Sequence, residues 1–466
     1  MGIKCLFTAR DMTMGPPWHR ILEFSVPMLL GNIAQQLYNT ADSVIVGYYV
    51  GDNALAAVGS ASPILNLLLA LFVGIATGAG IVVSQSFGAR DRDGLSRGIG
   101  NCISLTILAT LFIMIFGPLI TRPMLELLDT PASIIDWCAD YLNIFFWGVS
   151  GFFFYNMLSG ILRGLGDSIS ALGFLLLAAA LNVVLDLLFV AKFGMGVPGV
   201  ALATVIAQAI SAVFCLIKLL RMGEHFDLNR STVRLDKDMA MRIIRIGVPS
   251  GITQAIMSMS MMVVQTLTNS MGEMVIAANV IIMRVDGFAM MPNLSFGQAM
   301  SVYSGQNVGA GKWDRVKKGV VQGSVIALTF AVTIVVVILA LNTHLFGFFT
   351  KTQNLIDLAS EMMNIMAVGY VAMSLTQVLG GVMRGCGDTV TPMWISIIST
   401  VIIRIPVAYA LAAVSKSEIW PHGHPFALST SLLVSWTLGM VLSIAAYRWG
   451  KARKWILKGI EEQKGE

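Results

Sequence analysis

The sequence predicts an all-α membrane protein with 12 transmembrane helices, arranged as two six-helix bundles related by a pseudo-two-fold axis along the membrane normal. Of its 466 residues, 56% are apolar and 12% are charged, against roughly 25% charged in soluble domains. Apolar runs of about 20 residues, the length of a membrane-spanning helix, recur along the chain. The strands of a membrane barrel would give shorter, alternating segments. The two halves of the chain also repeat one another.

Twelve apolar segments are long enough to cross a bilayer. They are residues 21–48, 54–84, 95–119, 134–162, 168–193, 196–220, 240–271, 275–305, 318–341, 355–383, 389–414 and 426–447. With the N-terminus assigned to the cytoplasm, 25 of the 31 lysines and arginines fall on the cytoplasmic side and four in outer loops. Cytoplasmic loops carry the excess of positive charge. This distribution predicts a multi-pass protein of the inner or plasma membrane with both termini in the cytoplasm.

The repeat appears when the chain is shifted by 221 positions. Its most specific part aligns Gly160, Arg163, Gly164, Gly166 and Asp167 with Gly381, Arg384, Gly385, Gly387 and Asp388. Six spans is an even number, so both halves insert the same way up, as in secondary transporters with a cavity between two bundles. The predicted division is a cytoplasmic N-terminal segment (1–19), an N-lobe (20–220), a cytoplasmic linker (221–239), a C-lobe (240–450) and a cytoplasmic tail (451–466).

Polar residues of the N-lobe predict a cation-coupling site, because ionisable groups inside a membrane are costly. Asp42, Asp186 and Thr204 each lie about 10–12 Å below the outer surface at ~1.5 Å per residue. Asn182 is one helical turn before Asp186, on the same face. Two close carboxylates disfavour double ionisation. The site could therefore hold a proton or, through oxygen ligands, Na⁺. The alternative is that these groups only hydrogen-bond neighbouring helices.

The C-lobe lacks this pattern, because valines stand at the positions that match Asp42 and Asp186. Its intramembrane charges are Arg284, Asp286 and Arg404, predicted to be buried. An unpaired buried charge is expensive, so Asp286 is expected to pair with an arginine. A gate or a substrate contact is the alternative.

Substrate-cavity candidates share helix faces in the first and seventh spans. They are Gln35, Asn39, Gln254, Ser258, Met261 and Gln265. Ordinary helix packing would explain them equally well, although flexible methionines suit a cavity that accepts varied ligands. Pro27 lies within the first span and is predicted to act as a hinge, or to give a static kink.

The sequence shows few of the residue patterns that are typical of catalytic or metal-binding sites. The five cysteines form no CxxC pair, the five histidines lie in loops or at span ends, and no P-loop occurs. The sequence therefore predicts no enzyme, no metal centre and no cofactor other than H⁺ or Na⁺ as coupling ion.

Several strings occur together in this chain. They are Gln35-Gln-Leu-Tyr-Asn-Thr-Ala-Asp-Ser-Val-Ile-Val-Gly47, Gln85-Ser-Phe-Gly-Ala89 with its copy Gln306-Asn-Val-Gly-Ala310, Arg163-Gly-Leu-Gly-Asp167 with its copy Arg384-Gly-Cys-Gly-Asp388, and Gly196-Val-Pro-Gly-Val-Ala-Leu-Ala-Thr204. Together they resemble the multidrug and toxic compound extrusion (MATE) family over residues 20–450. The resemblance implies two six-helix lobes and ion-coupled export of amphipathic, often cationic drugs.

Within that family the chain is most similar to the DinF-type branch, whose N-lobe acidic network corresponds to Asp42, Asn182, Asp186 and Thr204. The NorM-type branch implies a C-lobe Na⁺ site, but the matching places here are about Met257 and Met373–Ser374, without a carboxylate.

The predicted function is an ion-coupled multidrug antiporter that works by alternating access. Its expected partners are small-molecule drugs or organic cations and membrane lipids, without nucleic acid, and the expected state is a monomer. The alternative is a flippase for lipids or lipid-linked precursors, which would call for a strongly cationic cavity. A channel or scaffold would not need titratable aspartates.

Overall fold

A computed structural model describes residues 9–127, 130–229 and 232–465. Residues 1–8 of the predicted N-terminal segment, with Cys5, lie outside the described residues. The same holds for residues 230 and 231 of the predicted linker and for residue 466 of the predicted tail.

Helices make up all the regular structure of the described residues, and no strand occurs among them. They are α1 (Pro17–Tyr49), α2 (Asp52–Gly88), α3 (Arg92–Leu127), α4 (Ile135–Trp147), α5 (Val149–Gly164), α6 (Ser168–Asp186), α7 (Gly196–Leu220), α8 (Lys237–Ser270), α9 (Glu273–Gly309), α10 (Trp313–Gly347), α11 (Gln353–Ala367), α12 (Gly369–Gly385), α13 (Val390–Ser396), α14 (Arg404–Val414), α15 (Phe426–Trp449) and α16 (Lys451–Gly465). π-Helical segments follow α6 at Leu187–Lys192 and α13 at Ile397–Ile403.

The predicted all-α, twelve-span fold class is confirmed. Within the described residues, nine helices are long and apolar enough to cross a membrane, and eleven if each of two bent pairs counts as one span. The remaining predicted span is α1, which carries Gln35, Asn39 and Asp42 and is therefore less apolar. The short helix α16, beyond the last predicted span, is rich in charged residues.

The two bent spans occupy equivalent positions of the repeat. α4 and α5 meet at 55°, and α11 and α12 meet at 41°. The break falls at Gly148 in the first pair and next to Gly369 in the second. A side chain on Gly148 would clash with Val205, and one on Gly369 would clash with Trp436. Glycine is needed at both bends because a neighbouring helix approaches the backbone there.

The chain divides into two compact units. Unit 1 consists of Val26–Gly251 together with the described residues before Met12. Unit 2 consists of Met12–Ser25 and the described residues from Ile252 onwards. Two helices therefore contribute to both units, and the change of unit falls next to Pro27 in α1 and next to Pro249 in α8. The predicted N-lobe and C-lobe bounds stay a prediction.

Glycines allow close helix crossings inside unit 1. Gly74 and Gly78 of α2 lie against Gly251 and Gly247 of α8, so closely that a side chain on either α2 glycine would overlap the α8 backbone. Close backbone approach is how small residues support helix packing in membranes, where helix association gains little from the hydrophobic effect. The first half of α8 is thereby fixed to unit 1.

Unit 2 holds the segment before α1 through polar contacts with α9 and α10. The Met12 amide donates to Gln306 Oε1 at 2.8 Å, and Lys312 Nζ donates to the Thr13 carbonyl at 3.0 Å. Arg315 Nη1 donates to the Gly15 carbonyl at 2.8 Å. These bonds satisfy backbone groups that precede the first turn of α1.

The duplicated Arg-Gly-x-Gly-Asp motif forms a turn followed by a helix cap. Gly166 and Gly387 have positive φ angles of 84° and 92°, a conformation that costs glycine little. Asp167 then accepts a bond from the Ser170 amide at 2.9 Å, and Asp388 accepts one from the Thr391 amide at 3.1 Å. The glycine and aspartate of the motif are thus explained by local structure.

Candidate functional site

A cluster of buried polar side chains lies inside unit 1, where α1, α4, α6 and α7 come together. It contains all four residues of the predicted cation-coupling site and two tyrosines. We call it the carboxyl cluster, and its members are Tyr38, Asp42, Tyr141, Asn182, Asp186 and Thr204. Asn182 and Asp186 are completely buried, and Thr204 is 9% exposed.

The two carboxyl groups form the centre of this cluster. Asp42 and Asp186 lie within hydrogen-bonding reach of each other. Among the described residues, no group donates a hydrogen bond to either oxygen of Asp186, or to Oδ1 of Asp42. Two facing carboxylates without donors repel each other unless a cation lies between them. The geometry therefore suits one bound proton or one small cation.

The other members of the cluster surround the pair with oxygen and amide groups. Asn182 Nδ2 donates to Thr204 Oγ1 at 3.3 Å. The Tyr38 hydroxyl lies beside Thr204, and Tyr141 lies near both carboxyl groups. Asn182 Oδ1 is buried without a donor. Carboxylate, amide and hydroxyl oxygens are the ligands that hard cations prefer, so these groups could also take part in holding Na⁺.

Local helix geometry places the carboxyl groups. Asp186 is the last residue of α6, directly before the π-helical segment Leu187–Lys192. Asn182 lies one turn earlier, so both side chains leave the helix on one face. π-Helical turns are rare and occur often at functional sites.

Tyr38 and Tyr141 were missed by the sequence analysis. Tyr38 had a readable signal, since it lies four residues before Asp42 and therefore on the same face of α1. Tyr141 had none, because it lies in an otherwise apolar stretch of α4 and nothing local links it to an aspartate.

Unit 2 contains a separate cavity of about 80 Å³ that brings together four of the predicted residues. It is lined by Met261, Gln265, Asp286 and Arg404, among others. Gln265 Nε2 also donates to Asn269 Oδ1 at 2.8 Å. The cavity does not include Gln254 and Ser258, which lie further back along α8.

The predicted ion pair of Asp286 with an arginine does not form among the described residues. Asp286 Oδ1 accepts a bond from the Tyr370 hydroxyl at 2.7 Å, and Arg404 interacts with Asp286 only electrostatically. A tyrosine hydroxyl therefore supplies the donor that the sequence analysis assigned to an arginine. Arg404 Nε is buried without an acceptor.

Arg284 was expected to be buried, and this expectation is wrong. Its side chain is exposed on α9 and lies beside Phe288, Phe348 and Phe349 at the surface of unit 2. Because the hydrocarbon stem of arginine can cover apolar surface while its charged end stays accessible, this position needs no acidic partner.

Gln35 and Asn39 lie on α1 in unit 1, where Gln35 Nε2 donates to Asn39 Oδ1 at 3.3 Å. Asn39 is exposed and Gln35 is half-buried. Pro27 lies within the unbroken helix α1, one residue after the change of unit. Their predicted roles, as cavity wall and as hinge, stay predictions.

The positions at which the resemblance would put a C-lobe Na⁺ site are also brought together. Met257 and Met373 line a second cavity of unit 2, of about 80 Å³, and no acidic side chain is among the residues that line it. This donor set does not fit a Na⁺ site of two carboxylates.

Comparison with known proteins gives a consistent result. The sequence profile of the family described as MatE matches residues 27–188 and 249–410. The chain is 29% identical over 428 residues to the "Probable multidrug resistance protein YoeA" of Bacillus subtilis, covering 90% of this chain and 92% of that protein. It is 22% identical to the "Multidrug export protein MepA" of Staphylococcus aureus, over 85% and 88% of the two chains.

Solved structures share the fold. One described as the outward-facing conformation of a multidrug resistance MATE family transporter has a TM-score of 0.87 at 22% identity and covers 97% of this chain and 99% of its own. Another, described as MATE in the straight conformation, has a TM-score of 0.86 at 23% identity and covers 97% and 98%.

Proposed function

The chain belongs to the MatE family of multidrug transporters, and on this premise we propose that it is an ion-coupled multidrug antiporter that exports amphipathic, often cationic compounds by alternating access. The coupling ion is H⁺ or Na⁺, and the protein works in the inner or plasma membrane with both termini in the cytoplasm. Relatives named as multidrug resistance and export proteins support this proposal over the lipid flippase alternative.

The observation that carries the proposal is the pair of facing carboxyl groups of Asp42 and Asp186. Three of their four oxygens are buried and accept no hydrogen bond from the residues that the structure describes. One bound cation stabilises such a pair because it removes the repulsion between the two carboxylates. The affinity for that cation changes when the surroundings of the pair change. A group that binds and releases a cation inside a membrane protein is what coupling to an ion gradient requires.

In the proposed cycle, a cation binds the carboxyl cluster from the outside and favours the conformation that releases the drug. A ligand shifts a conformational equilibrium only by its difference in affinity for the two states. Related MATE structures described as straight and bent conformations support a cycle with at least two states. Pro27 in α1 is the proposed hinge, because proline removes one backbone hydrogen bond of the helix.

A cationic drug and the coupling cation would compete in this scheme. Without a bound cation, the carboxylates attract the positive charge of the drug, and the arriving proton or Na⁺ removes that attraction. The exchange needs no nucleoside triphosphate, in keeping with the lack of a P-loop motif in the sequence.

The proposal is tested by ethidium efflux from drug-sensitive bacteria that express the wild type, Asp42→Asn or Asp186→Asn, with an imposed pH gradient or Na⁺ gradient. Asparagine keeps the shape of the side chain and removes its charge. We expect wild-type efflux that responds to one of the gradients and efflux at the background level in both variants. Asp140→Asn is the matched control, since Asp140 is an exposed carboxylate of the same unit.

Wild-type efflux that persists in Asp42→Asn and Asp186→Asn would contradict the coupling site. Well-expressed wild type without efflux of any of several dyes would contradict the drug antiporter and favour the flippase.

A further inference from the structure

The second cavity of unit 2 has the chemistry of an anion site. Its lining contains one charged side chain, Arg384, and no acidic residue. Hydroxyl groups from four helical segments also line the cavity: Thr376 from α12, Ser396 from α13, Thr400 from the π-helical segment, and Ser435 and Ser443 from α15. The cavity therefore combines a positive charge with several hydrogen-bond donors.

Arg384 has no partner within the described part of the protein. Among the described residues, no acidic side chain lies near its guanidinium and no group accepts a hydrogen bond from it. A guanidinium carries five N–H donors in a fixed plane. The side chain is half-buried, and a charge withdrawn from water is expensive unless an opposite charge or an acceptor is supplied.

The other half of the sequence repeat shows how this arginine is normally satisfied. Arg163, the counterpart of Arg384, donates from Nη1 to Ser159 Oγ at 2.9 Å. Tyr155 lies beside it. At the repeat offset of 221 residues, Ser159 becomes Gly380 and Tyr155 becomes Thr376.

These two replacements make the cavity. Gly380 removes the hydroxyl acceptor, and Thr376 is much smaller than a tyrosine. Both residues line the cavity next to Arg384. In unit 1 a serine and a tyrosine lie beside the arginine, whereas in unit 2 the arginine borders a cavity.

Some of the hydroxyl groups at the cavity are free to donate a hydrogen bond to a ligand. Thr376 already donates to the Ala372 carbonyl of α12 at 3.0 Å, and Ser399 to the Ile395 carbonyl of α13 at 2.7 Å. Ser396, Ser435 and Ser443 donate to no group among the described residues. Ser435 and Ser443 lie two turns apart on one face of α15, with Gly439 between them. A Cβ on Gly439 would enter the space between Ser399 and Thr376.

We propose that the Arg384 cavity binds a small monovalent anion, either a chloride ion or the carboxylate group of an organic compound. Arg384 supplies the charge, and Ser396, Ser435 and Ser443 supply hydrogen-bond donors. The volume of about 80 Å³ holds a few water-sized groups, which suits a halide or a carboxylate. The site belongs to unit 2 and the carboxyl cluster to unit 1, and the anion proposal does not depend on the proposed transport cycle.

Binding is measured with the purified full-length protein in detergent by scintillation proximity, with radiolabelled chloride as the probe. We expect saturable binding to the wild type and at least a tenfold loss of affinity in Arg384→Gln. The sharper variant is Gly380→Ser, because a Cβ there lies 3.4 Å from Arg384 Nη1. The new hydroxyl restores the pairing seen for Arg163 and Ser159, and it should abolish binding while Arg384 remains in place.

Lys416→Gln is the matched control, since Lys416 is an exposed cation of the same unit. Unlabelled formate distinguishes the two sources of the anion. Displacement of chloride by formate at equal or lower concentration supports a carboxylate ligand, and resistance to formate supports a halide. Absence of saturable binding to the folded wild type, or unchanged binding in both Arg384→Gln and Gly380→Ser, overturns the proposal. Loss of efflux in the aspartate variants would leave this result unaffected.

Discussion

The carboxyl groups of Asp42 in α1 and Asp186 at the end of α6 face each other inside unit 1, and no group in the described part of the chain donates a hydrogen bond to either oxygen of Asp186. The two residues are 144 positions apart in the sequence. The fold brings these two residues together, so that they form one site for a single cation.

Thr204 is expected to stabilise the carboxyl cluster through its hydroxyl group. Thr204→Val keeps the shape of the side chain but removes the acceptor of the Asn182 bond, leaving a buried amide without a partner. Such a loss costs about 1–3 kcal/mol. Thermal unfolding in detergent should show a lower midpoint for Thr204→Val than for Thr204→Ser, which keeps the hydroxyl. Equal midpoints would show that this bond contributes nothing.

The crossing of α2 and α8 is expected to tolerate no side chain at Gly74. Gly74→Ala places a methyl group against the backbone of Gly251, and overpacking of this kind costs about 1–3 kcal/mol. Gly59→Ala in the same helix is the control, because no atom lies within 4 Å of its new Cβ. Unfolding by denaturing detergent should be easier only for Gly74→Ala, and equal resistance in the two variants would contradict the close crossing.

Asp227 is expected to hold the segment after α7 in a pH-dependent manner. Arg92 donates to both of its carboxylate oxygens at 2.9 Å, and these bonds lower the pKa of Asp227. A lowered pKa gives stability that is present above the unfolded pKa of about 3.9 and is lost as the pH falls through the folded value.

Thermal unfolding of the wild type and Asp227→Asn across acidic pH tests this. The wild type should be the more stable at neutral pH, and the difference should disappear in strong acid. High salt should reduce the difference at neutral pH, because both side chains are exposed and screened. A difference that grows towards acid would contradict the assignment.

Pro27 is expected to matter for movement more than for binding. Pro27→Ala restores a donor to the middle of α1 and stiffens the helix where it passes from one unit to the other. Ethidium efflux should fall several-fold while ethidium binding to the purified protein stays within about twofold. Pro118→Ala, in a helix that belongs to unit 1 alone, is the control. Parallel losses in both variants would show that Pro27 is only a static kink.

Much of the fold could be predicted from the sequence, because hydrophobic length is a local property. Each predicted span corresponds to one helix or to one bent or π-interrupted pair. The bends at Gly148 and Gly369 could not be predicted, since they depend on what packs against the glycines. The change of unit within α1 and α8 could not be predicted either, because it depends on tertiary contacts.

The candidate site was predictable in its charged residues and less so in its neutral ones. The cost of a carboxylate in a membrane points to Asp42 and Asp186 from sequence alone. Tyrosines carry no such signal, so Tyr141 was not predicted. For Asp286 the sequence predicted an arginine partner, whereas the Tyr370 hydroxyl is the donor. In the sequence, Arg384 stood out only as part of a repeated motif. That it lacks a partner among the described residues is known only from the structure.

The claim that the carboxyl cluster holds the coupling ion is tested most directly by counting the cations that leave it when a drug binds. Purified protein in weakly buffered detergent solution is titrated with ethidium, while a pH indicator reports released protons and bound radioactive Na⁺ is measured in parallel. We expect the wild type to release about one cation per bound ethidium, and Asp42→Asn and Asp186→Asn to release none. Undiminished release from both variants would contradict the claim that this pair holds the coupling ion.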